Sequence, residues 1–347
     1  MGVYGQAAIA GVVGVIIGRL LGYWVDQMTP RPALTPEADT NSDALVTPAS
    51  SHAGEYGVCA IGTGMLFATY WLSMTVGECQ RTPAVQPDPF WFYGRILYHL
   101  VLITLLVAAT WTDFREYVIP DQITVTGMLI GVILAGISGQ LQTIHLWVDW
   151  NQEIPGIRGP YIPGWFDQYR QLHGLAWSLA GFIVGGGLTW LVRALSGLLL
   201  GQEALGFGDV TLMAMIGSFV GWQPVVFVFL LAPLCGICIA LFLRITQGRL
   251  IVPYGPYLSA STLLVLCSWR WLWTPTRDIF GDAISLAILG GVALVVFVAL
   301  LLMMRLYRMI PVQNHLFAQA ETADADKANG IPKAVSVDDT AKRAEAE

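Results

Sequence analysis

Charge is what this sequence has least of. Of its 347 residues only 12% are Asp, Glu, Lys or Arg, whereas 55% are hydrophobic, and the mean hydropathy is +0.60. A soluble globular domain carries about 25% charged residues, so this chain takes lipid as its solvent. The basic residues are scattered, form no stripe, and are outnumbered to a net charge of −6; no nucleic-acid partner is expected. Cysteine is scarce too. The five, Cys59, Cys79, Cys235, Cys238 and Cys267, sit mostly in apolar runs and outline no disulfide framework. The opening MGVYGQAAIA has no basic region ahead of its apolar stretch, so a cleaved signal peptide is not expected. Gln6 argues against a myristoylation signal.

What the sequence has in abundance is long apolar runs. A bilayer crossing by a helix needs roughly 20 mostly apolar residues. Such runs lie near 5–25, 57–76, 96–112, 121–140, 173–193, 209–222, 223–243, 255–273 and 281–304. The sixth and seventh are divided at Gly221-Trp222-Gln223-Pro224, a turn signal. The expected fold is all-α, a polytopic membrane helical bundle of about eight or nine transmembrane helices. Residues 1–94 form the N-terminal spans with a short loop, 95–275 the core and 276–311 a last transmembrane helix. The tail 312–347, rich in Ala, Asp and Lys, has too few large apolar residues to order itself. Residues 27–54 read as a flexible loop. The loop 141–172, with Trp147, Trp150, Tyr161, Trp165 and Tyr169, is expected on the membrane interface, where aromatic rings are favoured. A cytoplasmic C-terminus gathers Arg31, Arg115, Arg193, Arg244, Arg249, Arg305 and Arg308 inside, a small positive-inside excess.

Two carboxylates stand out against this background. Asp113 follows the third run in Trp111-Thr112-Asp113-Phe114-Arg115, and Asp209 opens the sixth in Gly206-Phe207-Gly208-Asp209-Val210. Two spans separate them, and an even number of crossings returns the chain to the same face. Carboxylates beside hydrocarbon are costly and tend to be functional or paired. Two that face each other cannot both ionise readily; one keeps its proton, and the pair can hold and activate a water while protonating a substrate carbonyl. Plainer readings stand beside this one. Asp209 after a glycine turn can be a helix cap, Asp113 an ordinary loop residue among Arg115, Glu116 and Asp121, and Asp121 after Pro120 a first-turn acid. If both act together, helix dipoles favour charge on Asp209, at a helix start, over Asp113, near a helix end.

With these motifs in view, the sequence resembles the type IV prepilin peptidases, membrane aspartyl proteases of the GxGD class. The resemblance covers roughly 95–275. It runs through Asp113 to Ile119-Pro120-Asp121, then Gly206-Phe207-Gly208-Asp209, then Pro253-Tyr254-Gly255-Pro256 where the family has a Pro-Phe-Gly-Pro-like element. It implies that Asp113 and Asp209 are the catalytic pair, and that Gly206, Gly208, Pro120, Asp121, Pro253, Gly255 and Pro256 shape the motifs and the substrate's approach. It also implies a bacterial cytoplasmic (inner) membrane location and cleavage at its cytoplasmic face. The substrate would be a prepilin or pseudopilin with a short basic leader, a Gly before the scissile bond and an apolar helix after it. Besides this substrate and the bilayer, pilus or secretion assembly components are the partners implied.

The chain departs from the family in one respect. Bifunctional members N-methylate the mature pilin and carry two Cys-x-x-Cys pairs between the first two spans, enough for a tetrahedral zinc site. Residues 27–54 contain no cysteine and one histidine, His52. No metal and no cofactor is therefore expected, and methyltransferase activity is in doubt. Cys235-Gly236-Ile237-Cys238 lies inside an apolar run and reads as buried small residues. His99, within a span, reads as a hydrogen-bonded core residue. Two alternatives remain: a catalytically silent assembly or carrier protein with the same fold, and another GxGD protease cutting within membrane helices. The Pro-Ala-Leu element of presenilin-like enzymes is absent, Ala232-Pro233-Leu234 being a poor and misplaced match.

Overall fold

The computed structural model describes residues 2–28, 50–82, 85, 88–147, 164–247 and 253–309. The expected tail, most of the 27–54 loop, and Trp150 and Tyr161 of the aromatic loop lie outside the described residues. The elements are α1 (Val3–Met28), α2 (Ser50–Thr75), α3 (Pro89–Glu116), α4 (Asp121–Ser138), α5 (Trp165–Gln168), α6 (Arg170–Leu200), α7 (Phe207–Val220), α8 (Trp222–Gln247), α9 (Gly255–Gly281) and α10 (Ala283–Met309). Each of the nine apolar runs falls on one long helix, and α5 is a single extra turn. Seven of these helices, α1, α2, α3, α4, α6, α8 and α10, are long and apolar enough to cross a membrane. The chain is thus an all-α, multi-pass membrane protein. Of the other two predicted spans, α7 has only 14 residues, and α9 carries Arg270 and Arg277 among Ser, Thr and Trp.

The helix ends follow local chemistry. Tyr117 closes α3 in the left-handed region, φ 55°, and its N–H returns to the Asp113 carbonyl. Pro120 then bars continuation, since it has no N–H to donate. Gly139 and Gly201 end α4 and α6 at positive φ. The predicted break at Gly221 separates α7 from α8 with φ 86°, and a Cβ there would stand 2.2 Å from Trp177 Nε1. Only glycine meets both demands.

The chain divides into two compact units, Met1–Val295 and Val296–Glu347. The described part of the second continues α10 as helix. In the first, α7 is the central element: Asp209, Val210 and every residue from Leu212 to Val220 are buried. Lipid tails are as apolar as leucine, so helices in a bilayer associate by close packing rather than by escape from water. Here α6 and α7 meet backbone to backbone. A Cβ on Gly181 would stand 2.0 Å from the Gly217 carbonyl oxygen, and one on Gly217 equally close to that of Gly181.

Alternating helix directions gather the end of α3 and the starts of α4, α7 and α9 on one face. On the opposite face, the first part of the aromatic loop is tucked into the bundle instead of lying over it. Leu141, Gln142, Thr143, Ile144 and His145 are buried. Several hydrogen bonds anchor it there: Thr143 Oγ1 donates to the Val220 carbonyl at 2.9 Å, Trp222 Nε1 to that of Leu146 at 2.7 Å, and Gln223 Nε2 to that of His145 at 3.0 Å. His99 is fully buried, with Nδ1 2.6 Å from the Tyr70 hydroxyl, as a hydrogen-bonded core histidine should be.

Candidate active site

Asp113 belongs to the last turn of α3 and is 5% exposed. Its Oδ2 accepts the N–H of Gly255 at 2.9 Å. Gly255 is the first residue of α9, so a free helix-start N–H points at the carboxylate. A Cβ on Gly255 would lie 2.5 Å from that same oxygen. A side chain at the centre of Pro253-Tyr254-Gly255-Pro256 would therefore push the Asp113 carboxylate from its place.

Asp209 is the third residue of α7 and is 9% exposed. Its Oδ2 accepts the N–H of Gly206 at 3.0 Å. Asp209 is therefore not the helix N-cap, which is Gly206; from the third helical position its carboxylate reaches back to the N-cap N–H, and the other oxygen is left for a second task. Thr211 Oγ1 donates to the Gly208 carbonyl at 3.0 Å and braces the same turn.

Ile119 joins the two motifs. A Cβ on Gly208 would stand 3.2 Å from Ile119 Cβ, and one on Gly255 would stand 3.3 Å from Ile119 Cδ1. This buried side chain is wedged between the two turns that hold the carboxylates. Ile119 thus sets the turn before Asp209 beside the Gly255 turn that holds Asp113. The parity of crossings therefore brings together what it was expected to bring together. Around the pair, Arg193 of α6 binds Glu203 at 2.5 Å, donates to the Leu205 carbonyl at 3.2 Å and lies 5.8 Å over the Phe207 ring. It holds the loop that leads into Asp209. On the other side, Asp26 of α1 accepts Arg115 Nη1 at 2.5 Å and the Tyr56 hydroxyl. That cluster ties α1 and α2 to the end of α3.

Sequence reasoning did not single out Ile119, Arg193 or Asp26. Ile119 stood inside a motif that could have flagged it; the other two give no local signal. The remaining motif residues are placed less directly. Pro256 is buried at the second position of α9, and Pro120 caps α4, accepting the N–H groups of Ile123 and Thr124. Asp121 is exposed at the first position of α4, as a first-turn acid. Pro253 precedes α9 and is half-buried. Gly206 has no close neighbour forcing glycine, the nearest atom to its Cβ position being Asp209 Oδ2 at 3.4 Å. The dipole reasoning needs correcting as well. Asp113 lies near the C-terminus of α3, but it also faces the N-terminus of α9, so helix ends no longer separate the two carboxylates.

Comparison with known proteins bears on this site. Residues 161–241 match the type IV leader peptidase family. A prepilin leader peptidase/N-methyltransferase of Aeromonas hydrophila is 28% identical over 170 residues, 48% of this chain and 48% of the relative. One from Pectobacterium carotovorum subsp. carotovorum is 23% identical over 278 residues, 72% of this chain and 88% of the relative. A type 4 prepilin-like proteins leader peptide-processing enzyme of Escherichia coli O78:H11 is 30% identical over 173 residues, 50% of this chain and 52% of the relative. The chain thus spans about half the length of the Aeromonas and Escherichia relatives it matches. No solved structure matches it. The stretch 161–241, which holds Gly206, Gly208 and Asp209, is thus similar to the type IV leader peptidase family.

Proposed function

We propose that this protein is a membrane aspartyl endopeptidase that removes the basic leader from prepilins or pseudopilins at the cytoplasmic face of a bacterial inner membrane. Its catalytic pair is Asp113 and Asp209, within a peptidase core of residues 95–275. The observation that supports this most directly is the meeting of two buried carboxylates at one end of the bundle. Each is steadied by a single backbone N–H, and Ile119 sets the two holding turns against each other. In the reaction, the ionised carboxylate takes a proton from a water as the water oxygen attacks the carbonyl carbon of the leader's last glycine. The protonated partner gives its proton to the carbonyl oxygen. The tetrahedral intermediate then collapses: the C–N bond breaks, the amine nitrogen takes a proton from the dyad, one hydroxyl of the intermediate returns its proton to the dyad, and the leader leaves with a new carboxylate. The apolar helix behind the scissile bond stays in the bilayer throughout. A protease buried at the end of a helical bundle suits such a substrate.

The test is cleavage of a prepilin-like substrate by membranes holding the wild-type chain, Asp113→Ala or Asp209→Ala. Cleavage by wild type and by neither variant supports the pair; equal cleavage by all three removes it. S-adenosylmethionine supplied in the same assay is expected to leave the new N-terminus unmethylated, because residues 27–54 lack the cysteines of the bifunctional members. Mass of the mature N-terminus reads this directly, and a gain of one methyl group would refute it. Gly255→Ala is expected to slow cleavage by about a hundredfold, the scale of an ångström-level misplacement of a catalytic group. Its new Cβ would displace Asp113 Oδ2. Wild-type turnover in this variant would show that the Gly255 contact does not position the carboxylate.

A further inference from the structure

Far from the aspartates, α3 buries a charge that no carboxylate among the described residues neutralises. Arg95 is 1% exposed. Its Nη1 donates to the Gln142 carbonyl at 3.1 Å, and its Nε has no partner. No carboxylate among the described residues pairs with it. Glu78, which lines the same cavity, is bound to Arg81 at 2.5 Å and lies 3.8 Å from Arg270. A buried cation without a counter-ion is strongly unfavourable. The rise from Arg95 to Asp113 along α3 is roughly 27 Å at about 1.5 Å per residue. That is close to the ~30 Å thickness of a bilayer's hydrocarbon core, so Arg95 lies at the opposite membrane face.

The cavity at Arg95 has a volume of about 420 Å³. It also receives Gln80, itself 1% exposed, whose Nε2 is committed to the Tyr70 hydroxyl at 3.2 Å and the Leu266 carbonyl at 3.1 Å. Gln80 Oε1 is left as a buried acceptor without a donor. The site thus offers a cation for a phosphate and an acceptor for a hydroxyl. Through Tyr93 the cavity adjoins an apolar groove of about 520 Å³ between α1, α2 and α3. Along the groove the walls run from Trp71 to Phe67, from Tyr93 to Leu100 and from Ile9 to Val13. All three runs lead from the Arg95 face toward the middle of the bilayer.

We infer that this face holds an anionic phospholipid, its phosphate on Arg95, a headgroup hydroxyl on Gln80 Oε1 and an acyl chain in the groove between α1, α2 and α3. Phosphatidylglycerol has the required headgroup. Headgroup recognition and chain burial come from separate residues, so they can be separated experimentally. The site does not depend on peptidase activity.

The experiment is native mass spectrometry of the full chain released from detergent, with phosphatidylglycerol or phosphatidylcholine of matched chains added. Wild type is expected to retain phosphatidylglycerol about fivefold better, the scale of one Arg beside a phosphate. Arg95→Gln brings the ratio to near unity, Arg95→Lys keeps most of it, and Val13→Trp lowers retention of both lipids by filling the groove. Excess inorganic phosphate or glycerol phosphate leaves lipid retention unchanged. Equal retention of the two lipids by wild type overturns the inference, as does an unchanged preference in Arg95→Gln. If a soluble phosphate displaces the lipid, the site serves a free anion and the lipid assignment fails. Should Arg95→Gln not fold, Arg95→Lys and Val13→Trp decide: full retention in Val13→Trp overturns the groove.

Discussion

Asparagine at either Asp113 or Asp209 is expected to slow leader cleavage by at least about a thousandfold, with the double variant no slower than the slower single one. General acid–base catalysis is commonly worth 10² to 10⁴-fold, and groups that act as one unit lose nearly everything with the first removal. The substitution suits these positions. An asparagine carbonyl oxygen can still accept the Gly255 N–H at 113 or the Gly206 N–H at 209, so the turns keep their hydrogen bonds. Thermal unfolding should therefore move little, by about 1 kcal/mol or less, the typical cost of changing a helix-cap partner. Residual activity with multiplicative losses in the double variant would mean that the two residues work independently, and the dyad would have to be abandoned.

Gly217→Val is expected to destabilise the folded chain by about 3 kcal/mol or more and to abolish cleavage with it. Overpacking a tight core costs typically about 1–3 kcal/mol when side chains can shift. Here the obstacle is backbone: the new Cβ would fall 2.0 Å from the Gly181 carbonyl oxygen, and a carbonyl within a helix cannot rotate away. Relief requires α6 and α7 to separate. Since α7 also carries Asp209, the site would be dismantled from behind. An unfolding transition in detergent and denaturant reads the stability, and a midpoint equal to wild type would show that the two helices tolerate a wider spacing. Gly187→Val on α6 is the control, because nothing lies within 4 Å of a Cβ at Gly187.

The fold was largely legible because a bilayer leaves few choices: a backbone crossing hydrocarbon satisfies its own polar groups as helix or closed barrel. Nine apolar runs gave nine helices, and Gly221 divided α7 from α8 where the turn chemistry placed it. The ends were misjudged where aromatic or polar residues dilute the apolar signal. α3 begins at Pro89, through Phe90, Trp91, Phe92 and Tyr93, rather than near 96. α6 runs on to Leu200, past Arg193 and Ser196.

The site was legible in its chemistry and not in its scaffolding. The two aspartates are conspicuous because charge is rare, and the glycine-rich turns announce close approach. What could not be read is which distant segment supplies each partner. The Gly255 N–H on Asp113 and the Asp26–Arg115 pair join residues far apart in the chain, and Arg193 reaches over the loop to Leu205. The dipole reasoning failed for this cause: it treated Asp113 as belonging to α3 alone, whereas the start of α9 is folded against it.

The shortness of α7 has a consequence for how the protein sits in its membrane. Fourteen residues rise roughly 21 Å, less than the hydrocarbon core of about 30 Å. A lone helix of that length would force the bilayer to thin around it, and the hydrophobic mismatch would vary from one membrane to another. Because α7 is enclosed by protein along most of its length, with Phe207 exposed at its start, little of its flank faces lipid. Longer apolar helices such as α6 and α8 can meet a difference in bilayer thickness by tilting. The depth of Asp209 is then set by its neighbours, independently of the lipid surroundings.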